Sequence, residues 1–157
     1  MRSKGTKIAL AIGAAIVAIQ LVPVDRSNPP MQGVVAAPPE VLEVMKRACF
    51  DCHSNETRWP WYSYVAPVSW IIAGHVSHGR EEMNLTEWNK IPLAKQAHKI
   101  DECWELVEKG AMPLPGYVRL HAEAKLTDAD KAAIRGWARV AGESSGKADA
   151  HEGHNRE

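Results

Sequence analysis

No acidic residue occurs among the first 24 positions, no stretch alternates convincingly with period two, and neither sign of charge is in excess. Each absence excludes something. Lys plus Arg and Asp plus Glu stand at 19 each, so the chain lacks the basic footprint expected of a nucleic-acid-binding domain. Without a period-two pattern there are no half-buried strands to expect, and the domain reads as all-α. There is no internal repeat and only one Phe, although six Trp and three Tyr supply large rigid rings. At 157 residues with 45% apolar content, the chain is neither collagen-like nor wholly disordered; it fits one globular domain with appendages.

The charge imbalance at the N-terminus is informative. Arg2, Lys4 and Lys7 precede an uncharged run from Ile8 to Val24, leaving 16 basic against 19 acidic residues beyond it. That is an export signal, read here as an uncleaved membrane anchor over residues 1–24 with its basic end cytoplasmic. The competing reading is cleavage after Val34-Val35-Ala36. Residues 25–37, with Asn28-Pro29-Pro30 and Gly33, read as a Pro-rich linker, because proline fixes φ and does not continue a helix. The folded domain is expected over 38–142, and the polar stretch 143–157 as a disordered tail.

Four helices are expected. The first runs from Pro38 to Ala48, with Val41, Val44, Met45 and Ala48 at i, i+3, i+4 and i+7. A second spans Pro67 to His78, with Gly79 past its end. The third spans Pro92 to Lys109 before Gly110, with a stripe of Leu93, Ala97, Ile100, Trp104 and Val107. The fourth opens at a capping-box pattern at Thr127 and carries Ala133, Ile134, Trp137 and Val140 to Gly142. Gly136 suggests a close crossing with the helix before Cys49.

Cys49-Phe50-Asp51-Cys52-His53 is a C-x-x-C-H sequence, the pattern of c-type haem attachment. Two thiols three positions apart reach the two vinyl groups of one porphyrin, and the next residue lies under the iron as an imidazole ligand. A thioredoxin-like pair would need a βαβ context that this chain does not offer. A structural zinc site would need four compact ligands, which Cys103 and scattered histidines do not supply. A plain disulfide between Cys49 and Cys52 leaves His53 unexplained.

The surrounding residues carry a resemblance. Cys52-His53-Ser54-Asn55-Glu56-Thr57, Trp59-Pro60-Trp61-Tyr62-Ser63, Ala66-Pro67-Val68-Ser69-Trp70, Glu87-Trp88 and Met112-Pro113-Leu114-Pro115 with Tyr117 resemble the bacterial haem-binding domain family of cytochrome c type. The likeness covers about Leu21 to Ala141. It implies one covalent haem c in a small cytochrome c-like domain, and an exported, anchored protein.

With His53 on one face of the iron, the other face separates electron transfer from small-ligand chemistry. Met112 is the leading sixth ligand, because it follows the Gly110 stop in a loop stiffened by Pro113 and Pro115. The order of elements resembles the Met-Pro loop arrangement of small electron-transfer cytochromes c. Alternatively Met112 caps the core as a gap-filler. His75, His78 and His121 are rivals, and His75 on the second helix is the alternative ligand. Tyr117, His121, Arg119 and Arg80 are candidates for the haem propionates, while His98 reads as exposed helix surface. Trp59, Trp61 and Trp70, in the aromatic-rich loop after the motif, are candidate haem contacts. Cys103 on the third helix's apolar stripe reads as a small buried hydrophobe.

These readings converge on a membrane-anchored periplasmic monohaem cytochrome of the bacterial inner membrane. It would exchange single electrons with a redox protein or a membrane respiratory complex and would not itself be an enzyme. The alternatives are a haem-based sensor or peroxidase-like enzyme with an open sixth site, and a structural haem subunit of a respiratory assembly.

Overall fold

The computed structural model describes residues 3–153, with side chains described as far as Ser144. Seven α-helices and three short 3₁₀ turns account for the regular structure of the described residues, with no strand among them. The helices are α1 (Lys4–Gln20), α2 (Pro39–Ala48), α3 (Phe50–His53), α4 (Val68–Glu82), α5 (Leu93–Glu108), α6 (Pro115–Leu120) and α7 (Asp128–Gly153). The expectation of an all-α domain holds.

The predicted stripe of α2 is the centre of the core. Val41, Val44, Met45 and Ala48 are all buried, and burying such side chains contributes about 1.5–3 kcal/mol for each of the larger ones. They meet Ile100 and Val107 of α5, Ile134, Trp137 and Ala138 of α7, and Leu85 and Trp88 from the loop after α4. Of the stripe expected on α5, Leu93, the first residue of the helix, is exposed instead. α7 opens as predicted. Thr127 N–H donates to Asp130 Oδ2 at 2.7 Å and Asp130 N–H donates back to Thr127 Oγ1 at 3.2 Å, the reciprocal bonds of a capping box. Arg47 of α2 pairs with the same carboxylate and holds Asp130 down to about 2.

Four features differ from expectation, each for a local reason. α4 does not stop before Gly79 but continues to Glu82, and Gly79 serves packing rather than termination. α7 passes through Gly142 to Gly153, since Gly142 does not take the left-handed conformation of a stop. Arg139 pairs with Glu143 at 2.7 Å across that point. Eleven residues expected as disordered tail are therefore helical, and 154–157 lie outside the described residues. Gly136 makes no close crossing, as a Cβ there would meet nothing within 4 Å.

The fourth difference is the Pro-rich stretch 25–37, which is built into the domain. Extended chain leaves its backbone groups free to pair, and they pair with the loop after α4. Val35 N–H donates to Leu85 O at 2.8 Å, Gln32 N–H to Thr86 O at 3.0 Å, and Trp88 N–H to Gly33 O at 2.8 Å. Val35 itself is buried in the core, so cleavage after Ala36 would remove a core residue. The domain accordingly begins well before Pro38.

α1 has no buried residue. Among the described residues no helix is long and apolar enough to cross a membrane; 17 residues rise about 26 Å, against about 30 Å of bilayer hydrocarbon. The anchor expected over residues 1–24 therefore gains no support from the length of α1.

Candidate functional site

α2 ends at Cys49, and the chain turns at once into the single turn of α3. Cys49 N–H donates to Met45 O at 2.8 Å, and His53 N–H donates to Cys49 O at 2.9 Å. This stacks Cys49, Cys52 and His53 along one wall of a crevice of about 400 Å³. α4 supplies His75, His78 and Gly79, and α5 supplies Cys103 and Leu106. Met112, Pro113 and Leu114 close the crevice from the far side of α5. A second lobe of about 370 Å³ shares Asp51, Cys52, His75, Leu114 and Tyr117 with the first and adds Tyr62 and Ile72. The lining is mostly apolar and the size suits a prosthetic group or small ligand.

The delivery of Met112 follows from how α5 ends. Gly110 adopts φ +68°, Ala111 N–H donates to Leu106 O at 2.9 Å and Gly110 N–H to Val107 O at 3.1 Å. These are the paired bonds of a Schellman stop, which glycine favours because it tolerates the left-handed turn. Met112 N–H also donates to Leu106 O, at 3.1 Å, folding the methionine back onto the crevice that Leu106 lines.

His53 is oriented from behind. Its Nδ1–H donates to the Met83 carbonyl at 3.1 Å, leaving Nε2 with its lone pair available. Burial holds the imidazole below its ordinary range, against the opposing pull of the Met83 and Gly79 carbonyls, so the neutral, metal-binding form is favoured. Met83 is fixed in turn by a latch. Leu85 N–H donates to His53 O at 2.7 Å, Asn55 N–H to Thr86 Oγ1 at 2.8 Å, and Asn84 Nδ2 to Asn55 Oδ1 at 2.7 Å. Met83, Asn84 and Asn55 were not singled out in the sequence as site residues; Asn55 stood inside a motif segment, but Met83 acts through its backbone and left no side-chain signal.

Burial raises all three thiols: Cys52 to about 11, Cys103 to about 11, and Cys49 further still. Such thiols are protonated at neutral pH, unlike the acidified thiols of disulfide oxidoreductases. Cys103 is half-buried and lines the crevice near Cys49, so it is not the enclosed core residue its stripe suggested. Among the described residues no cluster of three or more His, Cys, Asp or Glu could hold a metal ion unaided.

Asp51, between the two cysteines, is 7% exposed and fully partnered. Arg58 donates from Nε to Oδ1 at 3.1 Å and from Nη2 to Oδ2 at 3.3 Å, and Tyr117 O–H donates to Oδ2 at 2.6 Å. Burial, then the Asp51 carboxylate, raise the Tyr117 hydroxyl well above its usual range. Tyr117 is thus both a crevice wall and a brace between the C-x-x-C-H turn and the segment carrying Met112. Tyr117→Phe should cost about 1.5 kcal/mol, the worth of a hydrogen bond to a charged acceptor; a denaturant midpoint unchanged from wild type would dismiss the brace.

The other predicted contacts disperse. Trp59, Trp61 and Trp70 line neither lobe, because Trp59 borders a separate pocket with Asn55 and Arg80 and Trp61 and Trp70 are exposed. His121 accepts or donates a 2.7 Å bond with Tyr62 O–H and stacks on Tyr117 at 4.2 Å, behind the crevice rather than on it. Arg80 spends its guanidinium on Ser54 O, Ser27 O, Asn28 Oδ1 and Thr57 Oγ1, and neither it nor Arg119 lines a lobe. His98 pairs with Glu102 on the surface as expected.

A family model described as a haem-binding domain matches residues 14–140. The chain belongs to that family. No curated protein and no solved structure matches it. The crevice of this haem-binding domain fits the group its family implies. It offers an apolar slot, a neutral imidazole aimed by its Nδ1 bond, and two protonated thiols on the same wall. Cys49, Cys52 and His53 would hold the haem, which supplies one-electron chemistry when bound.

Proposed function

We propose that the protein is a membrane-anchored periplasmic c-type cytochrome that carries single electrons, with haem bound through Cys49, Cys52 and His53 and with Met112 as sixth ligand. One observation carries the reading: His53 is turned by the Met83 carbonyl so that Nε2 is its available nitrogen, in a crevice that Met112 also lines. Covalent thioethers suit the site because the crevice is open on one side, and a tether replaces full enclosure. A methionine sulfur raises the reduction potential relative to a second imidazole, favouring the acceptance of electrons. The anchor rests on the uncharged run from Ile8 to Val24 behind three cations. Redox partners are then proteins or respiratory complexes of the same membrane.

The test is intact mass and optical spectra of the full chain produced with c-type maturation. The expected result is one haem that survives denaturation and is lost when Cys49→Ser and Cys52→Ser are combined, with a low-spin spectrum and a sulfur-to-iron band. Haem released on unfolding would overturn covalent attachment. A high-spin spectrum would replace the carrier with small-ligand chemistry, for which His75, lining both lobes, is a candidate distal group.

A further inference from the structure

The turn after the C-x-x-C-H motif exposes an apolar face that the haem site does not use. Trp61 and Tyr64 lie at i and i+3 of the 3₁₀ turn Trp61–Tyr64, where side chains eclipse; they are 79% and 58% exposed. Val65 follows, and Val68 and Ile71 continue the face at i, i+3 spacing on the first turn of α4, all exposed. None of these five lines the crevice or its second lobe. Soluble surfaces rarely gather such side chains without an occupant.

The end of α1 is fixed beside this face. Gln20 Nε2 donates to Ala66 O at 3.2 Å and Ala66 N–H donates to Gln20 Oε1 at 2.9 Å, a two-point clasp between Val65 and Val68. Arg26 donates to Ser63 O at 2.9 Å and lays its guanidinium 4.5 Å over the Tyr64 ring. Apolar surface therefore continues from the exposed Ile12, Ile16 and Val17 of α1 onto the domain.

We propose that this face seats the domain in the headgroup and upper acyl region of a lipid bilayer containing anionic lipid. The inference rests on the anchor reading above and gives it geometry. Charge is compatible: from Thr57 to Arg80 there is no acidic residue, Arg58 and Arg80 are committed to protein partners, and Arg26, beside Tyr64, stands at the rim for lipid phosphate. Trp and Tyr are the residues that settle at membrane interfaces. A helix of about 26 Å falls short of about 30 Å of hydrocarbon, and a domain sunk to the depth of Trp61 and Tyr64 supplies the missing apolar height.

The test uses the full haem-loaded chain in vesicles of phosphatidylcholine and phosphatidylglycerol, carrying a benzophenone side chain at position 61 or, as control, at Leu93, equally exposed on α5. After flotation in high salt and irradiation, a lipid mass adduct at 61 and none at 93 is expected. Flotation with no lipid adduct at 61, or with a cross-link to a second copy or another protein there, overturns the seat while leaving the anchor standing. Failure to float overturns both.

Discussion

Met112→Ala should abolish the low-spin ferric spectrum and its sulfur-to-iron band, while the haem remains covalently attached. Alanine offers no ligand atom, and the Schellman stop that presents position 112 is made by backbone groups of residues 106–111 and survives the change. Met112 lies beyond the two bonds of the stop and is only partly buried against the core, so loss of fold would not explain the spectrum. Circular dichroism at helix wavelengths should match wild type and confirm this. The reduction potential should fall, because water or a second imidazole stabilises ferric iron better than a thioether does. An unchanged spectrum would show that Met112 is packing only. A low-spin spectrum already lacking the sulfur band in wild type would hand the sixth position to His75 or His78, both of which line the crevice.

Gly79→Ala should destabilise the protein by about 3 kcal/mol, the upper range for overpacking a tight contact. A Cβ at 79 would lie 2.7 Å from the Cys52 carbonyl oxygen, 3.1 Å from its carbon and 3.3 Å from its Cβ. Two of these are backbone atoms of the attachment turn, so no side chain can swing aside; α4 must retreat from α3. The sign is diagnostic. Alanine is a better helix former than glycine by about 1 kcal/mol, and at Gly74, on the same helix with nothing within 4 Å, Gly74→Ala should raise stability by up to that amount. Denaturant unfolding of the two variants should therefore move in opposite directions. If Gly79→Ala were neutral, the close approach of α4 to the C-x-x-C-H turn would be refuted, and the yield of attached haem, expected to fall with it, would stay at wild type.

The difference between these glycines marks how far the sequence could be read. Both stand in one helix, α4, yet the sequence placed Gly79 just past its end as a stop; only the approach of Cys52 from outside the helix tells them apart. Where local chemistry decides, the reading was sound. The α2 stripe, the Thr127 capping box and the Gly110 stop all depend on residues within a few positions of one another, and all form as expected. The C-x-x-C-H wall and Met112 share a crevice for the same reason, each being set by a nearby helix end. What escaped was non-local or carried by backbone: the Met83 carbonyl behind His53, the pairing of 32–35 with 85–86, and the turning of Trp61 and Trp70 away from the site. Aromatic crowding after the motif signalled that rings gather there, but not which way they face.

The hydrogen-bonded run from Asp25 to Ala37 changes what α1 can do for the haem. Thirteen free residues would let the domain wander over a root-mean-square span of about 20 Å, and a donor could then meet it in many orientations at a high local concentration. Here the run is stitched to the loop that also grips His53, through Leu85 to His53 O and Leu85 O to Val35. α1 is consequently a bracket and not a leash. Whatever holds that helix also holds the wall that carries His53, so on the proposed reading the orientation of the site would follow α1 instead of drifting on a tether.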